Sequence, residues 1–558
     1  MIDAHNHKHM ATLLAITLAA ITLFLTIGPL HTSFLSDDIG LIYWGSRILH
    51  ESPFQAFLGQ GGQGMSDLDD RVFVARFYRP VTLLTHGLDK LVWGMNPAGH
   101  RFGNLMLHVA CCLLLFLVIR QSLPKTSPWI AYVATVLFAL HPIHELDLWW
   151  ISIRMEMLCA LFFISCISFF AAYLKHKRKR YLCLAALCCA LSICSKEMGY
   201  GIPGVVLVYS FFRADPAPLK QRIYRATLPV LPIIGVTACF FTMRLIVFPA
   251  EGTLFALMVD AQHVMDVARL FVRRTIFPYH VSLREWVGAH PILIGAAALA
   301  VAGLAATQYR NLRQPAIWIA VLMSLAAMVP IIRAFSPWTM YIPSMALCTA
   351  MALALPVQRT RAGLCAAVLI AGLLLSYVVE WQVRKGAWDV ADKAMRNTLA
   401  ASKDALGSAP DQTPVYLSLP AAVDDIPMLM HYLPSFLDEY TDAKGTRPAV
   451  AAYLILPTDP DEHGVDVKQA EDGAWHIVPQ SPRTRFTFPE LPEHYYRVSG
   501  ATDPISADLH WGSMRFEPHG GPDGRPRVIA RFNEKYAAQI ERQALYYSDG
   551  TVHVLGQE

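Results

Sequence analysis

The sequence predicts a polytopic α-helical membrane protein with a soluble α/β or α+β domain at its carboxy-terminal end. Three observations carry this. The 558 residues are 54% hydrophobic and 16% charged, with mean hydropathy +0.36, whereas soluble proteins carry roughly 25% charged residues. Apolar windows long enough to cross a bilayer recur as far as residue 380. Beyond that point they give way to short β-branched and aromatic runs such as "PVYLSLP" and "AVAAYLIL", separated by turns such as "EPHGGPDGRP".

The windows fall near 10–33, 102–120, 128–142, 152–174, 181–195, 199–212, 226–247, 289–307, 315–333, 341–357 and 362–380, about eleven spans. The first has no small-residue cleavage site after it and reads as a retained span. Lys and Arg gather in "RQSLPK", "KHKRKR", "RADPAPLKQRIYR", "YRNLR" and "QRTR", which are alternate loops. The positive-inside rule places all five in the cytoplasm, with the amino terminus inside and the chain beyond 380 outside. This divides the chain into a membrane domain at 1–380, whose first outer loop is 35–101, and an outer domain at 381–558 entered through a helix at 380–406. The outer connection at 248–288 contains an amphipathic stretch, "DVARLFVRRTIFPYHVSLREW", suited to lie in the interface with Arg269, Arg273 and Arg274 toward headgroups. In the outer domain "IPMLMHYLPSFLDEY" reads as helical.

Composition also excludes several classes. A net charge of +4, with no basic-aromatic module, argues against a nucleic-acid partner. The eleven cysteines end at Cys365, and most lie inside apolar runs, so neither a disulfide framework nor a zinc site is expected.

Polar groups cluster where spans meet outer loops: Asp37 and Asp38 in "FLSDDIGLIYW", residues 77–108, "HPIHELDLWWISIRMEM" and "SKE". Taken singly these are interfacial caps, with Trp149 and Trp150 as aromatic belt and Arg154 and Lys196 snorkelling. Taken together, Asp37, Asp38, His141, His144, Glu145, Arg154, Lys196 and Glu197 would each cost up to ~3 kcal/mol in lipid. They are therefore expected to face a shared hydrated cavity.

Four segments, in order, resemble the transmembrane and tetratricopeptide-repeat O-mannosyltransferases. They are "YRPVTLLTHGLDKLVWGMNPAGHRFGNLMLH", "FALHPIHELDLWWISIRMEMLCALFF", "LSICSKEMGYGIPGVVLVYSFF" and "LFVRRTIFPYHVSL", with "YIPSMAL" a weaker fifth. The resemblance runs over about residues 30–290. It implies a GT-C glycosyltransferase, a multispan enzyme with a polyprenyl-phosphate sugar donor and an acidic motif in the first outer loop. The chain departs from that family in lacking the tetratricopeptide array. It also has "SPWTMYIPS" where the family often has an Arg shortly before the tyrosine corresponding to Tyr341, which leaves Arg333 as the nearby cation.

Transfer from a lipid-phosphate sugar needs a base for the acceptor hydroxyl and cations for the departing phosphate. By the resemblance Asp37 or Asp38 is the base, Asp37 ranked first. Arg79, Arg154, Lys196 and Arg333 are the donor-phosphate candidates. His141, His144, Glu145, Glu197 and Tyr78 are the residues expected to shape the sugar or acceptor pocket. Direct attack would invert the anomeric carbon. No metal is required, although "DLDD" (67–70) and Glu145 leave room for a divalent ion. The expected partners are the lipid-linked donor, a protein, glycan or lipid acceptor, and the bilayer. The expected location is a bacterial inner membrane with the carboxy-terminal domain in the periplasm. Two rival classes stand beside this reading. One is a transporter or flippase, which should show inverted repeats and midplane charges. The other is a membrane sensor or scaffold with a periplasmic module.

Overall fold

The computed structural model describes residues 2–51, 53–57, 78–124, 126–247, 261–276, 278, 313–332, 335–355, 361–407, 413–424, 426–429, 433–440, 448–487, 504–540, 544–549 and 551–555. The chain divides into two compact units, one of 1–30, 48–61 and 76–384, the other of 31–47, 62–75 and 385–558. The expected span at 289–307, the "DLDD" stretch and Arg333 lie outside the described residues.

The first unit is helical. Its helices begin with α1 (Ile2–Thr26); α2 (Asp38–Glu51) contributes only its last turn. Next come α3 (Pro80–Trp93), α4 (Pro97–Ser122), α5 (Pro128–Leu140), α6 (Glu145–Trp149), α7 (Arg154–His176) and α8 (Lys179–Ser195). They are followed by α9 (Ile202–Arg213), α10 (Leu219–Thr227), α11 (Leu231–Val247), α12 (Ala261–Ile276), α13 (Pro315–Met328) and α14 (Tyr341–Ala354). Among the described residues, four helical segments are long and apolar enough to cross a membrane, which marks a multi-pass membrane protein. Pro97–Ser122 and Ile151–His176 have 56% of their apolar window buried, whereas Leu219–Ile246 and Gly363–Ala405 have 17%. The first two are thus the centre of the bundle, and the second two offer their apolar surface outward.

The breaks between helices follow from local chemistry. Pro142 has no amide to continue α5, and α5 and the short helices after it are bent by 47°. The α7–α8 hairpin turns on Lys177, which adopts a left-handed conformation (φ 54°) and donates its amide to Tyr173 O at 2.7 Å. Between α8 and α9 a 3-10 turn, Glu197–Gly201, folds back on the end of α8. A Cβ on Gly199 would stand 2.6 Å from Ile193 N, so this close approach requires glycine. Of the amphipathic stretch 266–286, the part up to Ile276 is the end of α12 (Ala261–Ile276), and the rest apart from Pro278 lies outside the described residues; Val267 and Phe271, four residues apart, pack on Ile143, Met328 and Met340.

The sequence separates a span at 362–380 from a linking helix at 380–406. Instead, α15 (Arg361–Gly407) is one 47-residue helix. No proline interrupts it, and its composition turns from apolar to charged without a stop signal.

The second unit is strand-rich. Its β1 (Val415–Val423) is buried at all nine positions, as expected of a strand with neighbours on both edges and cover on both faces. β1 pairs antiparallel with β2 (Ile426–Pro427), and parallel with β3 (Ala449–Val450), β4 (Tyr453–Leu456) and, later in the chain, β11 (Leu545–Ser548). β7 (Arg485–Thr487) and β12 (Thr551–Val554) close this sheet on antiparallel edges. A second, antiparallel sheet runs β5-β6-β10-β9-β8, formed by β5 (Val465–Gln469), β6 (Trp475–Pro479), β8 (Ile505–Leu509), β9 (Gly512–Glu517) and β10 (Arg527–Phe532). The segment read as a helix in "IPMLMHYLPSFLDEY" starts as strand β2, and among its described residues the helix is Leu433–Tyr440 (α16). A further short helix, α17, spans Glu534–Ile540.

Residues 31–47 pack with this second unit. Ser33 N donates to Asp392 Oδ1 of α15 at 2.7 Å, Ser36 N donates to Met428 O, and Tyr43 Oη donates to Glu439.

Candidate functional site

Three groups of charged side chains stand out among the described residues of the first unit. The first gathers where α3, the α8–α9 turn and α11 meet. Pro80 at the first helical position fixes the start of α3, and Arg79 immediately before it reaches Glu197. Its Nε lies 3.1 Å and its Nη2 2.7 Å from Glu197 Oε2. Arg244 Nη1 donates to Glu197 Oε1 at 3.2 Å. The side chains of Arg79, Glu197 and Arg244 stay 17%, 20% and 16% exposed, so this group keeps some surface in reach of solvent. Burial alone would lift the Glu197 carboxyl, but the two guanidinium groups outweigh it and hold it at about 2.

Lys196, the neighbouring residue, is buried and paired with Glu156 of α7. Burial, then the charge of Arg79, bring its ammonium down to about 7. Tyr78 is 3% exposed and donates its hydroxyl to Phe57 O at 2.9 Å.

The second group surrounds Arg154, 2% exposed at the start of α7. Its Nε donates to Asn104 Oδ1 (2.7 Å), its Nη1 to Thr85 O (3.4 Å), and its Nη2 to His100 O (2.9 Å) and Asp89. It therefore ties α3 and α4 to α7. Gly103 leaves room for this pair, since a Cβ there would lie 3.1 Å from Arg154 Nη2 and 3.2 Å from Asp89 Oδ2.

The third group is fully buried around the break after α5. His144 Nε2 lies 3.3 Å from Ser344 Oγ, and its Nδ1 lies 3.6 Å from Asp147 Oδ2. Its ring packs against Tyr341 and Phe138, and Tyr341 Oη is 2.6 Å from His108 Nδ1. His141 Nε2 is 3.3 Å from Thr275 O, and its ring lies beside Tyr377. Glu145, 1% exposed, accepts from Arg384 Nη1 at 2.6 Å, and Arg384 Nε donates to Glu380 at 2.8 Å. This ion-pair set fastens α6 to α15.

Asp37 and Asp38 belong to the second unit. Asp38 is fully buried; its Oδ2 accepts the Leu35 amide at 2.9 Å at the first turn of α2, where a carboxylate also complements the helix dipole. Asp37 is half-buried and its Oδ1 accepts from Ser36 Oγ at 2.7 Å. Of the other sequence candidates, the structure brings Arg79, Lys196 and Glu197 into one group, and His141, His144 and Glu145 into another.

Several members of these groups were not singled out from the sequence. Arg244 had a usable signal, a lone cation inside the apolar run "CFFTMRLIV". Asp147 had one too, lying three residues after His144 and hence on the same helical face. Asp89, Asn104, Glu156 and Arg384 are visible only through their partners. Among the described residues, no group of three or more His, Cys, Asp or Glu is arranged to hold a metal.

This is a multi-pass membrane protein with polar groups at the ends of its spans and a strand-rich carboxy-terminal region. No family model matches the chain. It is similar to the protein O-mannosyl-transferase Tmtc1 of Drosophila melanogaster, 26% identical over 270 residues, 45% of this chain and 30% of the relative. It is similar also to mouse (Mus musculus) TMTC3, 27% identical over 192 residues, 33% of this chain and 20% of the relative. Drosophila Tmtc3 is 31% identical over 163 residues, 24% of this chain and 17% of the relative. The resemblance to the transmembrane and tetratricopeptide-repeat O-mannosyltransferases is thus found, over less than a third of these relatives' length. Among solved structures, an oligosaccharyltransferase from Archaeoglobus fulgidus aligns with TM-score 0.41 and 11% identity, over 86% of this chain and 75% of that one. ArnT from Cupriavidus metallidurans aligns with TM-score 0.39 and 13% identity, over 76% and 84%. Likenesses at these scores establish no common fold.

Proposed function

We propose that the chain is a GT-C-type glycosyltransferase that moves a sugar from a polyprenyl-phosphate donor to an acceptor hydroxyl on the outer side of the membrane. The observation that carries the reading is the sequence relationship to proteins named protein O-mannosyl-transferases. The open Arg79–Glu197–Arg244 group supports it, because two guanidinium forks beside a buried lysine suit an anionic phosphate.

In this scheme Asp37 accepts the proton of the acceptor hydroxyl as its oxygen attacks the anomeric carbon. The bond from that carbon to the phosphate oxygen breaks, and the polyprenyl phosphate leaves with the electron pair. Attack opposite the leaving group inverts the centre. Asp37 is preferred to Asp38 because it is the less buried of the two, whereas Asp38 spends Oδ2 on the Leu35 amide. Arg79, Lys196 and Arg244 hold the phosphate, with Arg333 as a further candidate outside the described residues. Arg154, already satisfied by four protein acceptors, positions α3 and α4. His141, His144, Glu145 and Tyr78 shape the walls, and Glu197 orients the arginines. The scheme needs no metal. The second unit would receive the acceptor, and a bacterial inner membrane with this unit in the periplasm is the setting we favour.

The test is release of polyprenyl phosphate from a sugar-charged polyprenyl phosphate by the purified protein. Asp37→Asn is expected to lower turnover by roughly 10²–10⁴-fold, the range for general-base catalysis, with the unfolding temperature unchanged. Full activity in both Asp37→Asn and Asp38→Asn would overturn the base assignment.

A further inference from the structure

A cavity of about 260 Å³ lies inside the first unit between α4, α7, α9, α13 and α14. Its walls are apolar, built from side chains such as Leu115, Phe163, Ile167, Val205, Met323 and Met345. Its polar lining side chains are Ser122, Tyr209, Arg213 and Thr349, and the first three are joined by hydrogen bonds. Tyr209 Oη donates to Ser122 Oγ at 3.3 Å, and Arg213 Nη2 donates to Ser122 O at 2.9 Å with its guanidinium 5.6 Å from the Tyr209 ring. Both hydrogen bonds described for Arg213 run through Nη2, and the residue is exposed.

Water gains little in an apolar void of this kind, and the helices around it carry the composition of membrane spans. The cationic end belongs to the basic segment "RADPAPLKQRIYR", and Arg120 and Arg222 flank it in sequence on α4 and α10. The charged groups of the candidate site sit at the opposite helix ends. On α9, for example, Lys196 and Glu197 precede the first residue, whereas Tyr209 and Arg213 of the cavity lie toward its end, and Lys196 and Arg213 are seventeen positions apart. The cavity is therefore separate from the groups assigned above to the donor phosphate.

We propose that this cavity takes one acyl chain of an anionic glycerophospholipid from the leaflet at the basic-loop face, with the lipid phosphate on Arg213. An apolar slot with one lining arginine complements an acyl chain whose glycerol backbone carries a single phosphodiester. Seated there, the chain fills the space between α13–α14 and the α4–α7 centre of the bundle and so holds those helices together. The proposal does not depend on glycosyl transfer.

The probe is phosphatidylglycerol with a photoactivatable diazirine on one acyl chain, in vesicles carrying the full-length protein. Mass spectrometry after illumination is expected to find label on Ile164, Met323 and Met345. Ala320→Trp, which fills the cavity, should lose that label. Arg213→Gln should weaken it for phosphatidylglycerol but not for a neutral phosphatidylcholine probe. Retained unfolding temperature in Ala320→Trp separates loss of the site from loss of fold; if that variant fails to fold, Ala346→Phe replaces it. The proposal is overturned if label falls only on outward residues such as Leu117, Trp318 and Leu322. It is equally overturned if label on the cavity walls survives both filling variants, or is displaced by polyprenyl phosphate but not by excess phosphatidylglycerol.

Discussion

Two clusters of charge in the first unit look alike in sequence and differ in structure. Both place acidic and basic residues at the ends of apolar helices. Around Glu145 the hydrogen bonds run to Arg384 and from it to Glu380, and Glu145 and Arg384 have almost no exposed surface. Around Glu197 the side chains of Arg79 and Arg244 keep about a sixth of their surface open. Buried pairs of the first kind are costly to break, because removal of one partner strands the other. Pairs of the second kind can exchange a protein partner for a ligand. The comparison therefore separates charges sealed between the helices from charges that keep some exposure, where the proposed phosphate contact is placed.

The largest effect that could break this division is on stability. Glu145→Ala is expected to cost about 3–5 kcal/mol, the range for removing one partner of a buried ion pair. Thermal unfolding in detergent measures it; a change near zero would show that Arg384 does not depend on this carboxylate. Arg79→Ala sharpens the same contrast from the other side. It should weaken polyprenyl-phosphate binding by about 1.5–3 kcal/mol, the worth of hydrogen bonds to a charged group, while unfolding moves far less than in Glu145→Ala.

The remaining effect is in pH dependence, where only the part of the window that a measurement spans is read. Lys196 has its ammonium near 7 in the folded chain, below its unfolded value of about 10.5. Between those two values the unfolded chain binds more protons, so this residue makes stability rise with pH and fall as pH drops toward 7. If the charged ammonium helps to hold the donor phosphate, turnover should run the opposite way and decline as pH rises past about 7. Lys196→Arg should flatten both trends, which paired activity and unfolding measurements across that window would read.

The broad organisation was legible because burial in a bilayer writes itself in composition. Uninterrupted apolar windows mark α4, α7 and α11, and the change near residue 380 marks the strand-rich end. The continuity of α15 was not legible, since a charge-rich segment following an apolar one reads as a boundary although no residue stops the helix. The "SKE" motif was found, but its partners Arg244 and Glu156 come from spans remote in sequence, and pairing across a bundle leaves no local signature. For Arg154 the residue was visible and its surroundings were not. Only the contacts with Asn104, Thr85, His100 and Asp89 show a guanidinium with its hydrogen bonds already made. Similarly, nothing in "SDD" tells which carboxylate caps α2; the Leu35 amide on Asp38 does.

The most direct measurement is equilibrium binding of polyprenyl phosphate to the purified protein in lipid nanodiscs, comparing the native chain with Arg79→Ala and Arg244→Ala. If the partly exposed arginines of the Glu197 group hold the donor phosphate, as proposed, both substitutions weaken binding while the protein stays folded. Native-like affinity in both variants would contradict the assignment of the phosphate to that group.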